Sequence, residues 1–336
     1  MEPWRTVMLN EEWFKQCFNH VLPTENSAPL IIQPRVRGVD VAFFLNKYRD
    51  QFNATLCEFG AIVLRASGVD EAVDFKKISD SISPHSMPYE EKSTPRASIN
   101  DVQHVYTSTE YPSRLKIDLH CENSYAHVWP NKVMFWCKRP AEQGGETLLA
   151  DTRKVLAMLP DWLVTECQHS NVYYRRTFST EIGYGWQAAF DVNTVSELEA
   201  KLILKGYQWE WKGGNLHTLR SGNWIANHPR TQEQVWFNHA HFFHPMSVSS
   251  SLGQDPDAAR NIAATLPYRV TFESQAIDDN AVAQIRSAFQ ACSYRLPLKK
   301  GDVLMIDNML MAHGRNAFEG ERQVFVTMTE PNTNSR

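Results

Sequence analysis

Residues 120–156 read HCENSYAHVWPNKVMFWCKRPAEQGGETLLADTRKVL, and their apolar runs and turns give the clearest indication of the fold class. It contains two short apolar runs, VMFWC (133–137) and ETLLAD (146–151), and LKIDLHCE (115–122) leads into it. The turn-forming segments WPNK (129–132) and AEQGG (141–145) lie before and between the two runs. Short apolar runs bounded by such turn residues are typical of β-strands. The stretch therefore predicts a β-rich core.

The rest of the chain adds helices around that core. Helical spacing of apolar residues or helix-like composition predicts helices at 40–56, 71–82, 153–167, 196–207 and 278–292. Further strands are expected at 60–66, 301–315 and 322–329, with a hairpin at 209–220. No linker separates these parts, so residues 1–336 are predicted to form a single domain, mainly β with α decoration. The long loop at 83–114, which contains four prolines, is predicted to be an active-site loop.

Composition excludes several classes of function. Hydrophobic residues make up 43% and charged residues 21% of the chain, and the net charge is −4, which predicts no nucleic-acid partner. No apolar run reaches the length of a membrane span, and the first residues have no apolar signal segment. The six cysteines show no paired spacing, which favours reduced thiols and a cytoplasmic protein.

The pair His120 and Glu122 raises the question of a metal site. In a strand, residues i and i+2 point to the same face, so an imidazole and a carboxylate would lie side by side. Two histidines and one carboxylate on one face of iron leave three positions open, as in non-heme Fe(II) oxygenases. His313, at the end of an apolar run, is the candidate for the second histidine. The alternative for the pair is ordinary surface polarity.

Several motifs together resemble one family. The stretch 120–156 and NMLMAHGRNAFEGERQVFV (308–326) are similar to the iron/2-oxoglutarate dioxygenases of the taurine dioxygenase-like superfamily. The similarity is greatest to the branch of clavaminate synthase and the syringomycin-type amino-acid hydroxylases, and it covers roughly residues 60–330. It implies a double-stranded β-helix (jelly roll) fold and the cofactors Fe(II), 2-oxoglutarate and O2. It also implies His120, Glu122 and His313 as iron ligands.

The same resemblance assigns the cosubstrate site. It implies that Thr147 lies at the 2-oxoglutarate and that Arg322 binds its distal carboxylate. A guanidinium suits that role because it pairs with a carboxylate through two parallel hydrogen bonds and stays charged in a pocket. Arg315 is the rival, and we expect it at the pocket mouth as a substrate contact. For both arginines the alternative is a surface salt bridge.

Other polar residues are weaker candidates. His127 and Asn238 are expected near the substrate, although packing is the competing interpretation for His127. His239, His241 and His244 offer a competing metal site without a nearby carboxylate. Asp307 and Asn308 are expected to order the chain before His313.

The two proposed histidine ligands are 193 residues apart, which predicts a large insertion or lid at 170–290, before the last strands. The resemblance implies hydroxylation of an unactivated C–H bond of an amino-acid-like small molecule, free or held on an aminoacyl or peptidyl carrier protein, in specialised-metabolite biosynthesis. Because Glu122 is present, the halogenase variant of this chemistry is disfavoured. Desaturation, cyclisation and rearrangement remain open, as does a non-catalytic jelly-roll binding protein. The oligomeric state is not predicted.

Overall fold

The computed structural model describes residues 7–24, 27–89, 91, 96–99, 102–108, 111–179, 185–244, 246–247, 267–272 and 275–333. Two sheets form the centre of the described fold. The larger sheet has the strand order β1-β2-β3-β17-β6-β20-β4, and the smaller one β16-β8-β18-β5. The strands of the larger sheet, in that order, are Phe18–Val21, Leu30–Pro34, Ala61–Leu64, Val303–Asp307, Val128–Arg139, Gln323–Thr333 and Tyr106–Thr107. Those of the smaller sheet are Ser293–Leu296, Thr147–Asp151, Met311–Arg315 and Ile117–His120.

The two sheets pack face to face through a shared apolar core. That core takes Val63, Val133, Leu304 and Val326 from the larger sheet and Leu149 from the smaller one, among others. All neighbouring strands are antiparallel except β2 and β3. Two antiparallel sheets that enclose one core form the predicted jelly roll, and the prediction of a mainly β fold is confirmed.

A separate five-stranded sheet has the order β10-β11-β9-β14-β15. Its strands are Gln208–Lys212, Asn215–Gly222, Val172–Phe178, Tyr268–Phe272 and Gln275–Ala276. The chain leaves the smaller central sheet after β8 and returns to it at β16, where Ser293 pairs with Ala150. That 170–290 is an insertion stays a prediction. Two-stranded pairs complete the strands: β12 (Ile225–Asn227) with β13 (Gln234–Trp236), and β7 (Gln143–Gly144) with β19 (Phe318–Glu319).

Helices cover the outside of the sheets. In chain order, α1 to α11 are Val7–Asn10, Glu12–Cys17, Val41–Lys47, Arg49–Phe59, Ala72–Ile82, Thr152–Met158, Asp161–His169, Trp186–Phe190, Val195–Leu204, Ala240–Phe243 and Asp279–Ala291. Among the described helices, none has the length and apolar character needed to span a bilayer. The predicted helix at 40–56 is divided at Tyr48. The predicted helix at 153–167 is divided before Pro160, because proline has no N–H to continue the helix.

The apolar run 301–315, predicted as one strand, forms two strands in different sheets. β17 ends at Asp307 and β18 begins at Met311. The Asp307 carboxylate accepts hydrogen bonds from the backbone N–H groups of Met309 and Leu310, at 3.0 and 3.2 Å. These local bonds replace strand pairing and turn the chain. As a result, His313 lies in the smaller sheet, beside β5.

Candidate active site

Strand pairing brings two histidines together inside the jelly roll. His313 on β18 lies directly opposite His120 at the end of β5, with ring centroids 4.5 Å apart. The His120 Nδ1–H donates to the backbone carbonyl of Asp118, at 2.8 Å. This bond fixes the tautomer and leaves the Nε2 lone pair available for a metal.

Glu122 joins the histidines, but strand alternation does not place it there. β5 ends at His120, and Asn123 adopts a left-handed conformation with φ of 54°. The position of Glu122 is fixed by Asn308, whose amide oxygen accepts from the Glu122 N–H (2.7 Å) and whose amide nitrogen donates to the Glu122 carbonyl (2.9 Å). The strand argument therefore gave the right neighbours for the wrong reason.

One ligand atom from each of His120, Glu122 and His313 lies within 4.8 Å of the others. Glu122 Oε2 is 3.6 Å from His313 Nε2. All three side chains are largely buried, and two imidazole nitrogens with one carboxylate oxygen form a donor set suited to Fe(II). The residues present therefore fit a metal ion bound on one face.

The electrostatics of this cluster favour metal-binding protonation states. Burial, together with the neighbouring His313, lowers the pKa of His120 to about 3, so its imidazole is neutral at ordinary pH. Burial alone would raise the pKa of Glu122. The adjacent Arg96 guanidinium and His313 outweigh that effect and hold this pKa below its usual range. A neutral imidazole and an ionised carboxylate are the forms that bind a metal.

Arg96 is a site residue that sequence reasoning missed. Its Nη2 donates to Glu122 Oε2 at 2.8 Å, and both side chains are almost fully buried. Its guanidinium also lies over the ring of Tyr89, 4.7 Å from the centroid. Arg96 belongs to the predicted loop 83–114, where no periodic pattern or motif distinguishes it from an ordinary surface arginine.

The metal candidates open onto a pocket that contains the predicted cosubstrate residues. Thr147 begins β8 directly opposite Arg315 on β18, and Arg315 shares a strand face with His313. Arg322 lies just before β20 and lines the same pocket. Ile117, Phe135, Val324 and Val326 form the apolar part of the pocket wall. Arg96, Ser108 and Gly314 also line it.

The two arginines of this pocket differ in what they contact. Arg315 is only 7% exposed, and its terminal nitrogens donate to the carbonyls of Tyr111, Pro112 and Leu115. Burial and the neighbouring Arg322 lower its pKa to about 10. Arg315 is therefore buried and anchors the segment before β5, and its expected place at the pocket mouth as a substrate contact stays a prediction.

Arg322 keeps more of its guanidinium available. Its Nε donates to the Gly145 carbonyl at 3.3 Å, and burial lowers its pKa. Among the described residues, neither Arg315 nor Arg322 forms a salt bridge with a carboxylate, and neither side chain is exposed, so this part of the chain does not support a surface salt bridge for either.

Two of the weaker candidates do not line this pocket. Asn238 is buried, and its amide binds the backbone carbonyl of Trp224 and the N–H of Ala240, so it has a structural role next to α10. His127 is half-buried and is not among the residues that line this pocket, and burial and the nearby Arg220 lower its pKa. Their proposed substrate contacts are not supported by these positions.

The competing histidine group does not assemble as a metal site. His241 Nε2 donates to the Leu119 carbonyl on β5 at 2.7 Å, and His244 lies near Asp279. His239 does come close to the metal candidates: its ring centroid is 5.5 Å from that of His120, and its Nδ1 is hydrogen-bonded to Ser124. His239 is therefore a neighbour of His120, whereas the sequence had suggested it for a separate metal site with His241 and His244.

A second buried group, Cys57, His228 and Asp307, also has ligand atoms within 4.8 Å of one another. His228 Nδ1 accepts a hydrogen bond from the Thr231 N–H at 3.1 Å, so the neutral ring carries its proton on Nε2. That Nε2–H donates to Asp307 at 3.1 Å and leaves no lone pair for a metal. Burial and the adjacent Asp307 also raise the pKa of the Cys57 thiol to about 11. This group therefore supports the Asp307 turn and does not form a second metal site.

Comparisons with known proteins agree with this geometry. The family model described as "Taurine catabolism dioxygenase TauD, TfdA family" matches residues 24–329. The dapdiamide synthesis protein DdaC of Enterobacter agglomerans is 32% identical over 82% of this chain and 84% of its own length. A clavaminate synthase-like protein of Arabidopsis thaliana is 26% identical over 82% and 83% of the two chains. Among solved structures, PvcB, an Fe, alpha-ketoglutarate dependent oxygenase from an isonitrile synthetic pathway, has a TM-score of 0.54 at 11% identity, over 95% of this chain and 94% of that one.

Proposed function

Because the chain belongs to the TauD/TfdA family of dioxygenases, we propose that it hydroxylates an unactivated C–H bond of an amino-acid-like small molecule. In this proposal His120, Glu122 and His313 hold the iron, and Thr147 and Arg322 hold 2-oxoglutarate. The chain is an oxidoreductase whose cofactors are Fe(II), 2-oxoglutarate and O2. When bound, these cofactors supply an oxidant able to attack a C–H bond.

The chain's own residues supply binding, orientation and exclusion of water. Three protein ligands on one face leave adjacent positions open for the cosubstrate and oxygen. The Arg322 guanidinium offers paired N–H donors to a carboxylate, and the Thr147 hydroxyl adds a third donor. Ile117, Phe135 and Val324 make the pocket wall apolar, which limits access of water to the reacting centre.

One observation carries the proposal: a buried two-histidine, one-carboxylate cluster shares its pocket with two arginines, Arg315 and Arg322, that have no carboxylate partner among the described residues. A buried guanidinium without a counterion is costly, so a pocket of this kind suits an anionic ligand. A dicarboxylate that binds the metal at one end and Arg322 at the other satisfies both requirements. A protein that only binds metal has no need for this second charged group.

The proposed substrate class rests on the similarity to DdaC. DdaC is named for dapdiamide synthesis, and its similarity to this chain supports a role in specialised-metabolite biosynthesis. The substrate is either a free amino acid or one tethered to a carrier protein, and assays with both forms distinguish them. Product mass separates hydroxylation, which adds one oxygen, from desaturation or cyclisation, which removes two hydrogens. A rearrangement is recognised from the connectivity of the product. All six cysteines are free thiols, which supports a cytoplasmic location as part of this proposal.

The test is an anaerobic titration of Fe(II)-loaded protein with 2-oxoglutarate, followed through the visible charge-transfer absorption of the bound cosubstrate. The wild type should develop the band, and His313→Ala should not. Arg322→Gln should raise the 2-oxoglutarate Kd by roughly 10- to 100-fold, because a charge-assisted pair contributes about 1.5–3 kcal/mol.

The matched control is Arg295→Gln, an exposed arginine on β16 of the same sheet, which should bind 2-oxoglutarate as the wild type does. Iron binding without any band in the wild type would contradict the proposed function. An unchanged Kd in Arg322→Gln would instead assign the distal carboxylate to Arg315.

A further inference from the structure

Arg96 presents a buried guanidinium to the pocket that contains His120 and His313. Its side chain is 4% exposed, and only Nη2 has a hydrogen-bond partner, the Glu122 carboxylate. Within the described part of the chain, Nε and Nη1 are buried and make no hydrogen bond. Buried charged donors without acceptors are costly, and natural structures rarely keep them unless a ligand or water completes the set.

The charges of the pocket point to the kind of acceptor that is missing. Three guanidiniums, those of Arg96, Arg315 and Arg322, face this space, and Glu122 is the one carboxylate beside them among the described residues. The backbone carbonyls of the 111–115 segment already occupy the terminal nitrogens of Arg315. The proposed function assigns Arg322 to the far end of 2-oxoglutarate. Arg96 therefore remains as the cation closest to the metal candidates.

A simple counterion role for Arg96 does not account for its geometry. Neutralising Glu122 requires one contact, and Nη2 already provides it at 2.8 Å. Each carboxylate oxygen has two lone pairs, so Glu122 Oε2 can accept from Arg96 while the carboxylate still offers lone pairs to a metal. The two remaining guanidinium nitrogens carry only donors and a full positive charge, and their natural partner is an oxygen anion.

Resting on the proposed function, we infer that Arg96 binds a ligand carboxylate next to the iron ligands. That carboxylate comes either from the substrate or from the end of 2-oxoglutarate that carries the keto group. In both cases Arg96 is a ligand-binding residue: it fixes the orientation of the bound acid relative to the metal. Tyr89, beneath its guanidinium, holds the side chain in place for this role.

The experiment compares wild type, Arg96→Gln, Arg96→Lys and the surface control Arg295→Gln in three steps. Mn(II) titration followed by electron paramagnetic resonance first reports whether the metal site is intact. Anaerobic titration of the Fe(II) protein then gives the 2-oxoglutarate Kd from the visible band. Finally, with 2-oxoglutarate saturating, a panel of α-amino acids, N-acyl amino acids and simple carboxylic acids, each with its matching carboxamide, is screened for perturbation of that band.

We expect Arg96→Gln to bind Mn(II) at least as tightly as the wild type and to lose tenfold or more in affinity for one carboxylate, with partial recovery in Arg96→Lys. A loss confined to the second step assigns the carboxylate to 2-oxoglutarate. A loss confined to the third, with carboxamides inactive in the wild type, assigns it to the substrate.

The inference is overturned if Arg96→Gln matches the wild type in both the 2-oxoglutarate titration and the panel screen. An unchanged 2-oxoglutarate Kd together with a panel that perturbs neither protein's band counts as such a match. It is also overturned if Mn(II) binding weakens in parallel with both ligand affinities, because Arg96 would then only hold Glu122. A wild type that binds Mn(II) but shows no 2-oxoglutarate band contradicts the proposed function itself, and the inference falls with it.

Discussion

Replacing Asn308 tests how the carboxylate ligand is held. Asn308 is fully buried, and its side chain makes three hydrogen bonds: with the N–H and the carbonyl of Glu122, at 2.7 and 2.9 Å, and with the carbonyl of Pro130, at 2.8 Å. Asn308→Ala leaves three buried backbone groups unpaired. At roughly 1 kcal/mol for each bond, the free energy of unfolding should fall by about 3 kcal/mol. Because residues that orient metal ligands typically contribute 10- to 100-fold to affinity, Mn(II) binding should weaken by a factor in that range.

Asn308→Asp refines the test, because it keeps the size of the side chain and exchanges the donating NH2 for an oxygen. The new oxygen would face the carbonyls of Glu122 and Pro130, so the introduced carboxyl is favoured in its protonated form. Its pKa in the folded state then lies above that in the unfolded state. Relative to the wild type, the stability of this variant should therefore be greatest at low pH and decrease as pH rises through the folded-state pKa of the introduced carboxyl.

Urea unfolding at several pH values and Mn(II) titration measure both effects. Asn332→Ala is the matched control, since that asparagine is only half-buried and its amide donates to the Asn131 side chain instead of holding the Glu122 backbone. It should change stability by less than about 1 kcal/mol. If Asn308→Ala unfolds at the wild-type urea concentration and binds Mn(II) with wild-type affinity, the backbone of Glu122 is not held by Asn308 and this reasoning fails.

Three further substitutions address the same centre. Gly314→Ala places a Cβ 2.6 Å from a backbone carbonyl of β5, so it should push β5 away from β18 and abolish Mn(II) binding. The control Gly222→Ala meets only ordinary contacts at 3.6 Å and should leave both stability and Mn(II) affinity near wild type. His241→Phe removes a 2.7 Å hydrogen bond to a β5 carbonyl and should cost about 1–2 kcal/mol in urea unfolding; no change would show that this bond does not support the ligand strand. Glu122→Ala should abolish product formation, measured by mass spectrometry, and added chloride should not restore it; full activity would remove Glu122 from the site.

Much of the β framework could be predicted because its strands bury apolar side chains on a regular period. Residues 133–137 lie within β6, and residues 146–151 overlap β8 almost completely. Val133, Cys137 and Leu149 from these runs pack in the core between the sheets. Ends and breaks were less predictable. The run 301–315 is apolar throughout, and only the hydrogen bonds of one aspartate, Asp307, divide it between two sheets. A period of apolar residues carries no information about such a side chain.

The candidate ligands were predictable from motif spacing, whereas the residues that surround them were not. Arg96 contacts Glu122 across 26 residues of chain, from a loop with no regular pattern. For Asn238 the sequence predicted a contact that the structure does not support. A polar residue in an aromatic stretch suggested a pocket, but the Asn238 amide is hydrogen-bonded to two backbone groups. In both cases the deciding contact is with a residue distant along the chain or with the backbone, and neither kind of contact is visible in the local sequence.

The arrangement of the metal candidates depends on one short segment more than on the HxE motif itself. Asp307 turns the chain, Asn308 holds the backbone of Glu122 from 186 residues away, and His313 follows on β18. His120 is placed because it pairs with His313 across two strands. Residues 307–313 thus contribute to the position of all three side chains. We therefore expect a substitution within residues 307–313 to weaken Mn(II) binding more than a substitution within residues 121–127 does, even where neither substitution replaces a ligand.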